Sequence, residues 1–414
     1  MISFKSPISD RIKDFVLEGV DLQKTRSMFK PDHFWEHLRK IGTEIWLDTG
    51  DLEEAARIWT AEMSALTTNN TLLNKEIQKG IYDEYIGEAN KALKGMDLKS
   101  RILEIAFILN AKHGLRLAEK FNGKVSVELH TDFAHNFNGI VEYGQRFHEI
   151  CPDNFLIKVP YTATGLLGAR RLGELGVAVN FTLEFSARQN ALVTAVARPA
   201  YQNVFLGRLG SYMTDNQLGN GKLVGEKATL SAQRVVSQLT RDNPAPPKLI
   251  AASLRKASQL ESLAGVNVFT IPIKVANEGK QILSGDFRSR LDEEYDVTLN
   301  PGIDAERIGF PKLWEVTENE LELANNLDKN LPANGEELIE RARERGCMDM
   351  FPVLTSSDYR VITNDGKIPV HSKWAERIEL GELAIDTLLN LAGLASFASD
   401  QKQLDDRIGG IIGN

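Results

Sequence analysis

The sequence predicts an α/β chain closed into a (β/α)8 TIM barrel, and three observations carry that expectation. Eight short runs rich in Val, Ile, Leu and Thr recur along the 414 residues. Amphipathic stretches of helical period separate most of them, the alternation expected of parallel β/α units. No GxGxxG follows any run and no GxxxxGKS/T appears, so the rival open, doubly wound nucleotide-binding sheet lacks its phosphate loop.

In chain order the strand-like runs are EIWLD at 44–48, SALTT at 64–68, KVSVEL at 124–129 and FLIKV at 155–159, then VAVNFTL at 177–183, QNVFLG at 202–207, KLIAAS at 248–253 and VNVFTI at 266–271. The helical partners include NGIVEYGQRFHEI, GLLGARRLGEL and KATLSAQRVVSQLT. Eight such repeats favour a closed barrel over an open sheet.

The barrel is expected to occupy residues 44–283, after an N-terminal helical extension over 1–43. An insertion of mixed structure follows the eighth strand over 284–372, and C-terminal helices packing on the barrel take up 373–414. Within the insertion GEELIERARERG reads as a short helix ending at Gly346, with Pro301, Pro311, Pro332, Pro352 and Pro369 punctuating the loops. The segment ELAIDTLLNLAGLASFASDQKQLDDRI has apolar residues at helical spacing and needs a surface to cover, closure over the barrel being one use for it.

Composition removes several classes of function. A chain with 42% hydrophobic and 26% charged residues can bury a large core. Nowhere is there the run of ~18 apolar residues that a membrane span requires, and the first thirty residues hold no apolar segment of signal-peptide length. A soluble, cytoplasmic protein with no membrane partner is expected. The net charge of −8 argues against a polyanion-binding surface and so against nucleic acid as a partner. Cys151 and Cys347 lie far apart without a CxxC pattern, which supports neither a disulfide framework nor a cysteine zinc site. His130 and His135 bracket TDFA without HExxH spacing; no metal and no cofactor are expected. Assembly into a homo-oligomer stays open.

Lys158 is the anomaly. It sits inside the apolar run FLIKVP, where a lysine is costly unless its charge is paired or its amine is neutral. A barrel interior favours the uncharged amine, which can attack a ketone. The competing reading places Lys158 at the strand end, reaching solvent or pairing with a carboxylate. Polar residues recur late in the other strands, where barrel active sites are built: Asp48, Asn69, Glu128, Asn180, Thr182 and Ser253. Strand alternation puts Asn180 and Thr182 on one face.

From Asn154 to Arg208 the sequence resembles the transaldolase family, and the motif order is that of the family. LDTGD at 47–51 resembles its first-strand motif, TTNNTLL at 67–73 its TTNPSL motif and VEL at 127–129 the strand carrying its glutamate. ASLR at 252–255 resembles its phosphate-contacting SxR, and FASDQKQL at 397–404 its closing helix.

The resemblance implies that Lys158 forms a Schiff base with the substrate carbonyl, that Asp48 moves the proton of the fourth-carbon hydroxyl, and that Glu128 and Thr182 hold a proton-shuttling water. Asn69 and Asn180 would bind the dihydroxyacetone unit. Arg208, Ser253 and Arg255 would grip a terminal phosphate, so the implied partners are small-molecule sugar phosphates. Each residue also has a plainer reading. Asp48 precedes DLEEAARIW and suits a helix cap. Glu128, Thr182, Asn69 and Asn180 suit satisfaction of buried backbone, either arginine a surface salt bridge, and Phe205 barrel packing.

The match departs from the family pattern at Asn203, where serine usually stands five residues before the phosphate arginine, and at Asn70, where TTNP becomes TTNN. Asparagine is larger than serine but still donates and accepts, so the ketose preference is open. A fructose 6-phosphate aldolase of the same superfamily uses the same lysine but is shorter and has a tyrosine near the water; Phe205 and Glu128 occupy that region here, as in transaldolase. A third alternative is a barrel that binds sugar phosphates for regulation. The insertion is expected to act as a lid or a subunit contact.

Overall fold

The computed structural model describes residues 9–22 and 28–413; the parts of the N-terminal extension at 1–8 and 23–27, and Asn414, lie outside the described residues. Eight parallel strands close into one barrel in chain order. They are β1 Glu44–Asp48, β2 Met63–Thr67, β3 Lys124–Glu128, β4 Phe155–Pro160, β5 Val179–Thr182, β6 Tyr201–Phe205, β7 Lys248–Ala252 and β8 Val268–Pro272. β1 pairs with both β2 and β8, which closes the ring and leaves no edge strand in it. The expected fold class is the observed one.

Strand boundaries move slightly from the sequence expectation, for local reasons. β5 stops at Thr182 because Leu183 takes φ 76° and turns the chain out of the extended region. β8 starts at Val268 because Val266 N still donates to Leu263 O at 3.0 Å, closing the preceding turn. Several connecting helices start where a polar side chain accepts from their first turn. Asp51 caps Leu52–Ile58, Asn69 caps Asn70–Gln78, Asn136 caps Phe137–Ile150, Thr162 caps Ala163–Glu174 and Ser186 caps Ala187–Val196. Each such cap is worth about 1 kcal/mol and fixes where a barrel loop ends.

Period-two alternation sorts the barrel interior into layers. Trp46, Ala65, Leu156, Tyr201, Ile250 and Val268 form an apolar floor, separate from the main core that lies between strands and helices. The Trp46 and Tyr201 rings meet at 4.7 Å. Two residues further along the same strands stand Asp48, Thr67, Lys158, Asn203, Ala252 and Thr270, which line a cavity instead. The polar layer thus rests on a plug that closes the barrel beneath it.

Beyond the barrel, the insertion carries helices Glu318–Lys329, Gly335–Glu344 and Ser356–Asp365. Gly346, at φ 74°, turns the chain after the second of these. The C-terminal helix Ile385–Ile412 packs on Asn70–Gln78, Asp83–Ala92 and Leu98–Phe121, covering the mouth side of the barrel. One buried guanidinium, Arg188, joins barrel, insertion and C-terminal helix: it reaches Asp386 at 2.8 Å, Glu320 at 2.9 Å and Asp349 at 2.9 Å. No helix among the described residues is long and apolar enough to cross a membrane.

Candidate active site

A cavity of about 170 Å³ opens at the C-terminal ends of the strands. Among the residues singled out in the sequence, it brings together Asp48, Asn69, Lys158, Asn180, Thr182, Asn203, Phe205, Arg208 and Ser253. Glu128 and Arg255 stand beside it, on the walls of neighbouring cavities.

Lys158 is 2% exposed, so it does not reach solvent. Among the described residues its Nζ donates one hydrogen bond, to Thr68 O at 3.3 Å, and it lies 6.0 Å from the centre of the Phe397 ring. A lysine buried with so little hydrogen bonding is costly in stability, which points to a use for it. Strand register sets its flanks, Glu128 across from Lys158 on β3 and Asn180 across from it on β5.

Asp48 ends β1 and faces the cavity rather than a helix. The cap of Leu52–Ile58 is Asp51, whose Oδ1 accepts from Glu53 N and Glu54 N, both at 2.9 Å, so the plainer reading of Asp48 fails. Burial pushes the Asp48 carboxyl up to about 6, against the pull of Lys158 and Lys75. Glu128 is likewise raised by burial, opposed by Lys158 and by the Asn70 N–H that its carboxylate accepts at 3.0 Å. It faces a more apolar cavity of about 260 Å³, and Phe397 lies on the walls of both spaces.

Asn69 does cap a helix, accepting from Leu72 N at 2.8 Å through Oδ1, which leaves its NH2 to the cavity. Asn180 is held through Nδ2, donating to Ser126 Oγ at 2.8 Å, and Asn203 through Nδ2, donating to Phe181 O at 2.9 Å. Their Oδ1 atoms, with Thr182 Oγ1 and Arg208 Nη1, are buried and have no hydrogen-bond partner among the described residues. Buried polar atoms are normally satisfied, and four unsatisfied ones on a single wall mark a surface shaped for a polar ligand.

The cationic end depends on one close approach. A Cβ at Gly207 would meet Ser253 O at 2.2 Å and Arg255 Nε at 2.8 Å, so only glycine lets the turn carrying Arg208 lie against the loop carrying Ser253, itself at φ 63°. Arg208 is buried, with its guanidinium 5.6 Å from the Phe205 ring centre. Burial and then the neighbouring Arg255 charge bring its pKa down to about 10, with Asp400 opposing. Arg255 itself donates to Ser211 Oγ and lines an adjoining cavity of about 330 Å³. Two like charges without a shared carboxylate favour an anion between them.

Sequence reasoning passed over several residues of the site. Thr270 and Thr67, joined by a 2.9 Å hydroxyl bond, follow from the inward parity of β8 and β2, so the signal was present. Glu184, buried behind Asn203 and accepting from its N–H at 3.3 Å, is pushed up to about 8 by burial; nothing local in FTLEF announces it. Lys367 comes from the insertion, where no pattern connected it to the barrel. Among the described residues no group of three or more His, Cys, Asp or Glu side chains is placed to hold a metal ion.

Comparison with known proteins fits this geometry. A family model described as Transaldolase/Fructose-6-phosphate aldolase matches residues 45–305. A protein named "Transaldolase" from Xanthomonas euvesicatoria pv. vesicatoria is 27% identical over 267 residues, covering 62% of this chain and 77% of that one. Another "Transaldolase", from Xanthomonas oryzae pv. oryzae, is 28% identical over 278 residues, covering 64% and 80% respectively. A "Probable transaldolase" from Thermus thermophilus is 33% identical over 233 residues, covering 55% of this chain and 86% of its own.

Proposed function

The chain belongs to the transaldolase/fructose-6-phosphate aldolase family, and from that premise we propose that it transfers a dihydroxyacetone unit from a ketose phosphate to an aldose phosphate through a Schiff base on Lys158. Sedoheptulose 7-phosphate or fructose 6-phosphate is the donor, and glyceraldehyde 3-phosphate or erythrose 4-phosphate the acceptor. This is the exchange of the pentose phosphate pathway, carried out in the cytoplasm.

The observation that carries the reading is the buried Lys158 amine at the centre of a cavity whose wall holds Asp48 and a cluster of unpartnered polar atoms. Nζ attacks the second-carbon carbonyl, and loss of water leaves the imine. Glu128 and Thr182, on strands flanking Lys158, serve this step by relaying protons through water. The iminium then draws electrons as the bond between the third and fourth carbons breaks, while Asp48 accepts the proton of the fourth-carbon hydroxyl. A carboxyl near pKa 6 is matched to that exchange close to neutral pH. Addition to the acceptor reverses these steps, Asp48 returning the proton. Asn69, Asn180 and Asn203 bind the hydroxyls of the three-carbon unit, and Arg208, Ser253 and Arg255 its phosphate-bearing partner.

Fructose 6-phosphate and borohydride, followed by peptide mapping, test the covalent step. A dihydroxyacetone-derived adduct on Lys158 is expected, and its absence from a protein shown to bind the sugar would return the regulatory reading. Acceptor dependence tests the rest: turnover is expected only with erythrose 4-phosphate present. Free dihydroxyacetone released without acceptor would place the chain on the aldolase side of its family.

A further inference from the structure

The geometry points to Lys367 as a third cation of the anion-binding end of the cavity, supplied by the insertion rather than by the barrel and selecting phosphorylated over unphosphorylated substrates. This deepens the proposed function and rests on it for the identity of the anion. Lys367 is the single residue of 284–372 on the cavity wall, which it shares with Arg208.

Its loop is built rather than draped. Gly366, at φ 75°, turns the chain out of the helix Ser356–Asp365. The Asp365 carboxylate then accepts from Val370 N at 3.1 Å and pairs with Lys373, so the acid nearest in sequence is engaged elsewhere. Asn216 grips the loop twice, its Nδ2 donating to Pro369 O at 3.0 Å and its Oδ1 accepting from His371 N at 2.7 Å. Tyr212 Oη meets His371 Nδ1 at 2.7 Å. Tyr212, one turn after Arg208, and Asn216, the C-cap, both belong to the helix Leu206–Asp215, which carries Arg208 in its first turn. Arg208 and the Lys367 loop are therefore fixed to one rigid rod, the loop anchored about 6 and about 12 Å from Arg208 along its axis.

The charges agree with the placement. Arg208 keeps Nη1 without a partner, and Arg255 adds a second positive charge close enough to depress its pKa. Lys367 forms no ion pair among the described residues and is exposed at the rim, where a long ammonium arm reaches an entering dianion before the buried guanidinium does.

Calorimetric titration of the full-length protein with inorganic phosphate tests the assignment. Lys367→Ala is expected to weaken phosphate binding about tenfold, the effect of one charged hydrogen bond at a partly wetted rim, and Lys367→Arg to recover most of it. The same Ala variant is expected to lower the ratio of kcat/KM for fructose 6-phosphate to that for fructose about tenfold. Phosphate affinity within twofold of the wild type, or an equal loss for both sugars, would overturn the assignment. So would a wild-type protein that binds no phosphate. Borohydride trapping on Lys158 separates the two levels. An adduct together with unchanged phosphate affinity in Lys367→Ala removes the Lys367 assignment alone, whereas weakened phosphate binding without any adduct removes the transfer reaction and leaves the anion subsite standing.

Discussion

Two buried arginines, on consecutive helices of the same barrel, are treated in opposite ways. Arg188, 1% exposed, has Asp386, Glu320 and Asp349 within 2.9 Å; against the penalty of burial, these carboxylates hold its pKa well above the ordinary value. Arg208, 6% exposed, has an unpartnered Nη1 and a second arginine nearby, and burial together with that neighbour brings it down to about 10. The first is neutralised by the fold and belongs to its architecture. The second is left with charge to spare, the condition for binding an anion from solution. Burial alone therefore says little about purpose; what completes the hydrogen bonds decides it.

The widest separation between the two regions is expected at Lys158. With Lys158 as the proposed nucleophile, Lys158→Ala is expected to lower transfer about 10³-fold or more and to abolish the borohydride adduct, while the melting temperature holds. Arg188→Met is the architectural counterpart. It strands the buried carboxylates of Glu320 and Asp386, leaves Asp349 with Lys312 alone, and is expected to cost about 3–5 kcal/mol in urea unfolding; a loss below about 1 kcal/mol would erase the contrast. Arg208→Met is expected to lower kcat/KM for a phosphorylated donor roughly 10- to 100-fold without lowering stability, since it relieves repulsion from Arg255. If it unfolds the protein as Arg188→Met does, the two arginines are alike after all.

The smallest effect is one of pH. The Asp48 carboxyl sits at about 6 in the folded chain, above its unfolded value near 3.9. The native state binds this proton more tightly, so Asp48 favours folding at low pH, and that contribution is lost as the pH rises from about 4 through 6. Asp48→Asn is therefore expected to raise the melting temperature at pH 7 and to leave it unchanged below pH 4. In whatever activity the same variant retains, the acid limb of kcat/KM near pH 6 is expected to vanish.

The barrel was legible because inward parity and apolar runs are local properties: Leu156 and Lys158 announce a floor and a site two residues apart. Most of the cavity wall followed from the same rule. Arg188 was not legible, since its partners lie 132, 161 and 198 residues away and only the folded chain joins them. Lys367 escaped for the same reason. The caps were half legible: Asn69 and Asp51 sit where capping residues belong, but the sequence offered Asp48 as the cap before DLEEAARIW, and only the end of β1 at Asp48 shows that this carboxyl turns into the cavity while Asp51 caps the helix.

Synthesis order gives the Arg188 cluster a further meaning. A nascent chain delivers the arginine long before Glu320, Asp349 and Asp386 emerge, so a barrel ending near residue 283 would have to bury a bare guanidinium. The eight strands can collect early, and the helix Ala187–Val196 can seat on Val224–Leu239 and Glu318–Lys329, but Arg188 completes its set of carboxylates only when Asp386 of the C-terminal helix arrives. Phe397, which lines the cavity, rides in on the same segment, so the mouth of the cavity takes its shape only after that helix has docked.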